Sequence, residues 1–218
     1  LSLVEVEDFD AQVAYLRNYC HTKAIKEVVA NSELGFNENK RDRQCVDEGI
    51  SLKLFEADVI TPKGSILNKS GDMFKVFTPF KRAWLTYIKA NGVKYTPKYA
   101  NDTVQQEYDE ASGLSSNWPL ITDIESEVLP CFLNNKLLDY SRYRDFPALS
   151  ATSKLSPYLT IGALSSRYLL IQLLRKYPDI LVATDTPQFS WLNELIWRDF
   201  YRHLLFHRPD LSCHRHYN

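Results

Sequence analysis

Apolar positions recur along this chain at two different spacings, and the change falls near residue 120. Val13, Leu16 and Tyr19 lie three apart, which predicts a helix over 10–23. Residues 25–30 are a short β-branched run and predict a buried strand. A charged helical stretch follows over 37–47, then a strand region over 50–60. Turns are predicted at Thr61-Pro62-Lys63-Gly64 and Asn68-Lys69-Ser70-Gly71, with a short extended piece at 74–78. Pro79 sits where a first helical residue belongs, and the helix continues over 80–90. Strands alternating with helices argue for an α/β layer. Residues 91–120 hold Gly92, Pro97, Gly113 and Pro119 with little periodicity, and read as an interdomain linker. From Ile121 the pattern is helical, with candidates at 123–138, 157–163, 166–176 and 189–206.

The last of these helices carries the densest chemistry. In Trp191-Leu192-Asn193-Glu194-Leu195-Ile196-Trp197-Arg198-Asp199-Phe200-Tyr201-Arg202-His203, a turn of about 100° per residue puts Leu192, Ile196 and Phe200 on one face, which packs inward. Trp191, Glu194, Trp197, Arg198 and Tyr201 gather on another. Two indoles beside a carboxylate and a guanidinium suit a planar, polar, partly aromatic ligand. The same residues also read as a core helix with two buried tryptophans and an i,i+4 ion pair.

Two shorter stretches add to this. Ala151-Thr152-Ser153-Lys154-Leu155-Ser156-Pro157 sets three hydroxyls and a lysine before a helix, with Ser156 placed as N-cap and Pro157 as the first helical residue. Such a start offers free N–H groups and hydroxyls to a phosphate, or simply caps the helix. Tyr140-Ser141-Arg142-Tyr143-Arg144-Asp145-Phe146-Pro147 alternates aromatic and cationic groups, as stacking and phosphate contacts require, or as a surface turn would.

Net charge is −1, so composition alone does not announce a nucleic-acid binder. The distribution is uneven. Residues 1–139 hold 16 Lys and Arg against 21 Asp and Glu, whereas residues 140–218 hold 10 against 6 and four of the five His. The basic second half points to an anionic partner. No apolar run reaches membrane-spanning length and no cleavable signal is visible. Cys20, Cys45, Cys131 and Cys213 are widely spaced, as separate reduced thiols are, which fits a cytoplasmic or nuclear setting. His203 and His207 lie i,i+4 ahead of Cys213-His214-Arg215-His216, but no metal is expected there.

The ordered set Tyr140…Arg144-Asp145-Phe146-Pro147, Thr152-Ser153-Lys154-Leu155-Ser156-Pro157-Tyr158-Leu159 and Trp191 through His203 resembles the DNA photolyase/cryptochrome family. Phe77-Thr78-Pro79-Phe80-Lys81-Arg82-Ala83-Trp84 resembles the end of that family's antenna domain. The third motif most resembles the class I cyclobutane pyrimidine dimer photolyases. The resemblance implies part of a Rossmann-like α/β antenna domain over 1–93, a linker over 94–120, and the first part of an all-α FAD-binding domain over 121–218. The family's first strands and the later part of its helical domain have no counterpart, so an internal fragment of a larger protein is expected.

For the intact protein the resemblance implies light-driven repair of cyclobutane pyrimidine dimers in DNA, by electron transfer from reduced FAD to a flipped-out dimer, in a monomer with no membrane partner. The alternative within the family is a cryptochrome-type photoreceptor; outside it, a plain DNA-binding module using Arg144. Tyr140, Thr152, Ser153, Lys154, Leu155 and Ser156 would hold FAD, and Trp191 and Glu194 would line the flavin and substrate pocket. Trp197 would stack on the dimer and Glu194 would bond its base edge, these two being the residues closest to the chemistry. Arg198 would sit between FAD and DNA, with Tyr201 beside it on the DNA side, and Arg144 would meet a DNA phosphate. Asn37 and Glu38 match the positions where folate-type members bind a methenyltetrahydrofolate antenna. Lys154 stands where the family often has Arg, which keeps the charge but loses the fork. Ser165-Ser166-Arg167 replaces the usual Ser-Pro-Arg.

Overall fold

The computed structural model describes residues 4–95, 123–213 and 215–217. From residue 96 on, the expected linker lies outside the described residues. The chain divides into two compact units, Leu1–Phe55 with Tyr95–Pro119, and Glu56–Lys94 with Leu120–Asn218.

The first unit contains α1 (Phe9–Thr22), β1 (Val28–Asn31), α2 (Phe36–Asp47) and β2 (Leu52–Phe55). Asp8 starts α1 by accepting from the Ala11 N–H at 2.8 Å, an N-cap that meets one of the unpaired first-turn amides. The strands pair in parallel, from Val28↔Leu52 to Asn31↔Phe55. A parallel pair needs a crossover, and α2 supplies it. The core is small: Val13, Cys45 and Ile50 are buried, with Leu16, Val28 and Leu52 against them. The strand expected over 25–30 is shifted to Val28–Asn31, and it is only half buried. Successive side chains alternate, so Val29 turns outward and is 60% exposed. The strand expected over 50–60 contracts to Leu52–Phe55.

The second unit contains α3 (Phe77–Asn91), a π turn (Ile124–Val128), α4 (Leu129–Asn135), a 3-10 turn (Leu137–Asp139), α5 (Tyr140–Tyr143), α6 (Ser156–Thr160), α7 (Ser166–Lys176), α8 (Pro187–His207) and a 3-10 turn (Pro209–Cys213). Phe80, Trp84, Leu85 and Ile88 form the buried stripe of α3. They share one core with Leu169, Leu170 and Leu173 of α7 and with Leu192, Leu195, Ile196 and Phe200 of α8. Residues 56–94, expected with the antenna portion, thus pack with the helical unit.

Several boundaries differ from expectation for local reasons. The helix expected over 123–138 is broken into a π turn, α4 and a 3-10 turn. Pro130 has no N–H for the Ser126 carbonyl and its ring crowds that turn, which favours the wider winding ahead of it. The helix expected over 157–163 ends at Thr160, and Gly162 follows at φ 74°. Ser156 is not the N-cap: it is already helical, and Leu155 takes that position with no side-chain cap bond. Leu155 is drawn into the core at 1% exposure, and Lys154 adopts φ 55° to turn the chain inward. Phe77 and Thr78, expected extended, already belong to α3, so Pro79 is its third residue, still within the turn where an N–H is dispensable. α8 opens with extended Thr186 and Pro187 at its first position, runs 21 residues to His207, and is followed by the 3-10 turn that starts at Pro209.

Candidate functional site

α8 supplies most of the site. Its inward face is the expected one: Leu192 and Ile196 are fully buried and Phe200 nearly so. Trp191 is also core, 4% exposed and tilted against Phe132 of α4 at 5.0 Å. Tyr140 packs edge-on to the same Phe132, with centroids 6.0 Å apart.

Glu194 and Arg144 meet where α5 lies beside α8, through Arg144 Nη1 and Glu194 Oε1. The Arg144 guanidinium carbon sits 5.8 Å from the centre of the Tyr140 ring, a cation–π arrangement, and its Nε is 3.5 Å from Asp145 Oδ1. The two paired side chains are 37% and 36% exposed, so solvent and solutes reach them. Burial pushes the Tyr140 phenol above its ordinary range and the Glu194 charge adds to this, while Arg144 opposes it. The hydrogen bond to Glu194 strengthens Arg144's hold on its proton. Tyr140, Arg144, Glu194 and Trp191 are thus gathered around Phe132 and the middle of α8.

Trp197 and Tyr201 form a second aromatic group one turn further on. The Trp197 ring lies flat on Phe77, with centroids 3.6 Å apart and planes 7° apart. Tyr201 stacks beside it at 5.5 Å and is 57% exposed. Phe77 carries Lys81 Nζ 5.7 Å from its ring centre.

Arg198 is partly buried and bonded within the fold. It donates from Nη1 to the Asp58 carbonyl and from Nη2 to the Leu159 carbonyl at 3.0 Å, so it braces α8 to the 56–63 segment and to α6. In the 152–156 loop, Leu155 is the buried anchor, Thr152, Lys154 and Ser156 are exposed, and Ser153 is half-buried. Asn37 and Glu38 lie in the first turn of α2 in the other unit. Glu38 folds back over Gly35 so closely that a Cβ at Gly35 would lie 2.0 Å from its Oε2.

Sequence reasoning missed the strongest polar node. Asp199 is fully buried and accepts from Trp84 Nε1 at 2.9 Å, the Ile60 N–H at 3.0 Å, and the Thr61 N–H and hydroxyl at 3.1 and 3.2 Å. Burial pushes its carboxyl pKa up, and these donors and His203 oppose the shift. His203 Nδ1 donates to the Asp199 carbonyl at 2.8 Å. Next to this node, Asp58 pairs with Lys63 and Arg202, both at 3.0 Å, and Arg167 donates to the Ile60 and Glu56 carbonyls. A signal was available: on the helical wheel Asp199 and His203 fall among Leu192, Ile196 and Phe200, where an unpaired polar group would be costly. Among the described residues no three His, Cys, Asp or Glu side chains gather as a metal site would need, and no helix is long and apolar enough to cross a membrane.

A family model described as DNA photolyase matches residues 2–100. The chain is 34% identical over 233 residues to the deoxyribodipyrimidine photo-lyase of Escherichia coli (strain K12), covering 97% of this chain and 47% of that protein. It is 33% identical over 226 residues to the protein of the same name from Vibrio cholerae, covering 97% and 48%. The chain therefore spans about half the length of the curated relatives it matches. Among solved structures, a bacterial class III photolyase from Agrobacterium tumefaciens superposes with a TM-score of 0.65 at 26% identity, over 91% of this chain and 44% of that one. A Synechocystis cryptochrome, at 19% identity and a TM-score of 0.63, shares the fold. These matches run along nearly its whole length, and with the aromatic, acidic and basic side chains of the motifs grouped on α5 and α8 the chain resembles the DNA photolyases.

Proposed function

We propose that this chain forms part of an enzyme that repairs cyclobutane pyrimidine dimers in DNA under light. The observation that carries the reading is the solvent-reached Arg144–Glu194 pair beside the Tyr140 ring, with Trp191 and Trp197 one turn either way along α8 from Glu194. Glu194 offers acceptors to a base edge, Arg144 offers donors to a phosphate, and Trp197 offers a ring face to an extruded base. Phe77 covers one face of Trp197 and Tyr201 stacks beside it, so an extruded base would share the indole with Tyr201 or displace it.

The 152–156 loop fits an anionic cofactor by its donor set: hydroxyls of Thr152, Ser153 and Ser156 flank the Lys154 ammonium on a backbone anchored by Leu155. These residues would hold the FAD phosphates and ribityl chain, with Tyr140 and Trp191 toward the ring. When bound, reduced FAD supplies the light-driven electron that splits the cyclobutane ring. The protein's part is to extrude the lesion, hold it dry against aromatic rings, and steady transient charge with Glu194 and Arg144. Asn37 and Glu38 would hold a methenyltetrahydrofolate antenna; that assignment supports light harvesting and no step of repair. The test is competition between two otherwise identical oligonucleotides, one carrying a dimer. The reading expects a clear preference for the dimer. Equal affinity would leave a general DNA-binding module.

A further inference from the structure

We propose that Arg144 and Glu194 form a latch that stays closed on undamaged DNA and opens on the lesion, which makes Arg144 a specificity-determining residue. The inference rests on the DNA reading above and deepens it. Two roles fall on one pair of groups: Arg144 is the phosphate donor and Glu194 the base-edge acceptor, yet each is bonded to the other. While they are paired, the Nη1 donor of Arg144 and the Oε1 acceptor of Glu194 are engaged with each other.

The geometry makes the pair openable. Both partners are partly exposed. A pair at such a position is weak, because water competes for both charges. A phosphate offers the guanidinium a bidentate partner of comparable strength, so the exchange is near balance and whatever Glu194 gains or loses decides it. Tyr140 lies under the guanidinium, so Arg144 can pivot on its ring without losing the cation–π contact. Glu194 is the group with no substitute. Its charge already raises the pKa of the partly buried Tyr140 phenol, and on opening it would give up the cation it is bonded to. Undamaged duplex presents phosphates but no free base edge, so opening would leave Glu194 uncompensated. An extruded base brings N–H donors to Glu194, and Arg144 is then free for the backbone. The same differential contact couples the two events in both directions.

The test measures binding to undamaged and dimer-bearing duplexes over a salt series, for the wild-type protein, Glu194→Gln, Arg144→Gln and the double variant. In the wild type, the dimer duplex should show a salt slope steeper by about 0.9, one additional phosphate contact. Glu194→Gln frees Arg144 on both DNAs: the slopes converge at the steeper value, and undamaged DNA binds roughly two- to fivefold more tightly. Arg144→Gln makes the slopes converge at the shallower value, and adding Glu194→Gln to it changes neither. Equal wild-type slopes on the two DNAs, with no tightening in Glu194→Gln, would overturn the latch while leaving any dimer preference standing. The same tightening in the Arg144→Gln background would also overturn it, since that would be a general effect of removing one negative charge. If wild type shows no dimer preference but Glu194→Gln still gains slope and affinity only when Arg144 is present, Glu194 merely competes with phosphate for Arg144, and both the lesion-opened latch and the repair reading fall.

Discussion

Trp197 and Asp199 are two residues apart on α8 and face different tasks. Trp197 presents a ring that already rests on Phe77, and what it adds to DNA is stacking. Trp197→Ala should weaken affinity for dimer-bearing DNA by about 1–3 kcal/mol while changing affinity for undamaged duplex little. An equal loss on both DNAs would mean that the ring supports the fold and not the lesion. Asp199 has no such external partner. Asp199→Ala strands the Trp84 indole N–H and the Ile60 and Thr61 amides in the core, and should cost about 3–5 kcal/mol in urea unfolding. A cost near zero would show that water replaces the carboxylate. The inward trio Leu192, Ile196 and Phe200 was legible from spacing alone. Phe77 beneath Trp197 was not, because the two are far apart in sequence and nothing in either local pattern points to the other. The Arg198 bonds to the Asp58 and Leu159 carbonyls were not legible for a related reason: no side-chain pattern reveals a backbone acceptor.

The periodicity of α1, α2, α3, α7 and α8 is strong enough to place each helix to within about three residues, because an apolar stripe on a long helix is redundant information. Short pieces were less legible. The 50–60 strand region lost its second half to the Asp199 node, where the Ile60 and Thr61 amides find acceptors in a helix and not in a sheet. The turn at Gly64 was read correctly and has a packing consequence. Its φ is 74°, and a Cβ there would lie 2.4 Å from Cε1 of Phe206. Gly64→Ala should destabilise the second unit by about 1–2 kcal/mol in denaturant unfolding, and an unchanged midpoint would show that Phe206 swings away freely. At the end of α8, burial and the neighbouring His203 hold His207 below its ordinary pKa of 6.5. Its folded-state pKa is depressed, so the stability it contributes is present above 6.5 and declines as pH falls through and below that value. Thermal stability should fall between pH 7.5 and 5.5, and His207→Gln should flatten that fall. An unchanged slope in the variant would remove His207 from the account.

At the scale of the whole molecule, the two units differ in the core available to them. Among the described residues, the core cluster of the first is Val13, Cys45 and Ile50, whereas the second has a core that draws on α3 through α8. Small cores stabilise weakly, so amides of α1, α2 and the two strands should exchange at a lower free energy than those of α8. Uniform protection would contradict the division. The charge asymmetry was legible and agrees in sign with the proposed DNA face, since the basic residues 140–218 include Arg144 and the whole of α8. The grouping of Tyr140, Arg144 and Glu194 was legible only through resemblance, because periodicity says which face of a helix is polar but not what lies opposite it.

The most direct test of the central claim is a pair of repair assays, in the light and in the dark. Each uses a dimer-bearing oligonucleotide, reduced FAD and the intact protein of which this chain is part, and measures intact dimer remaining. The account predicts loss of dimer only under blue or near-ultraviolet light, and its suppression by Glu194→Gln or Trp197→Ala. Flavin bound with no loss of dimer in the light would contradict repair and assign the site to a photoreceptor.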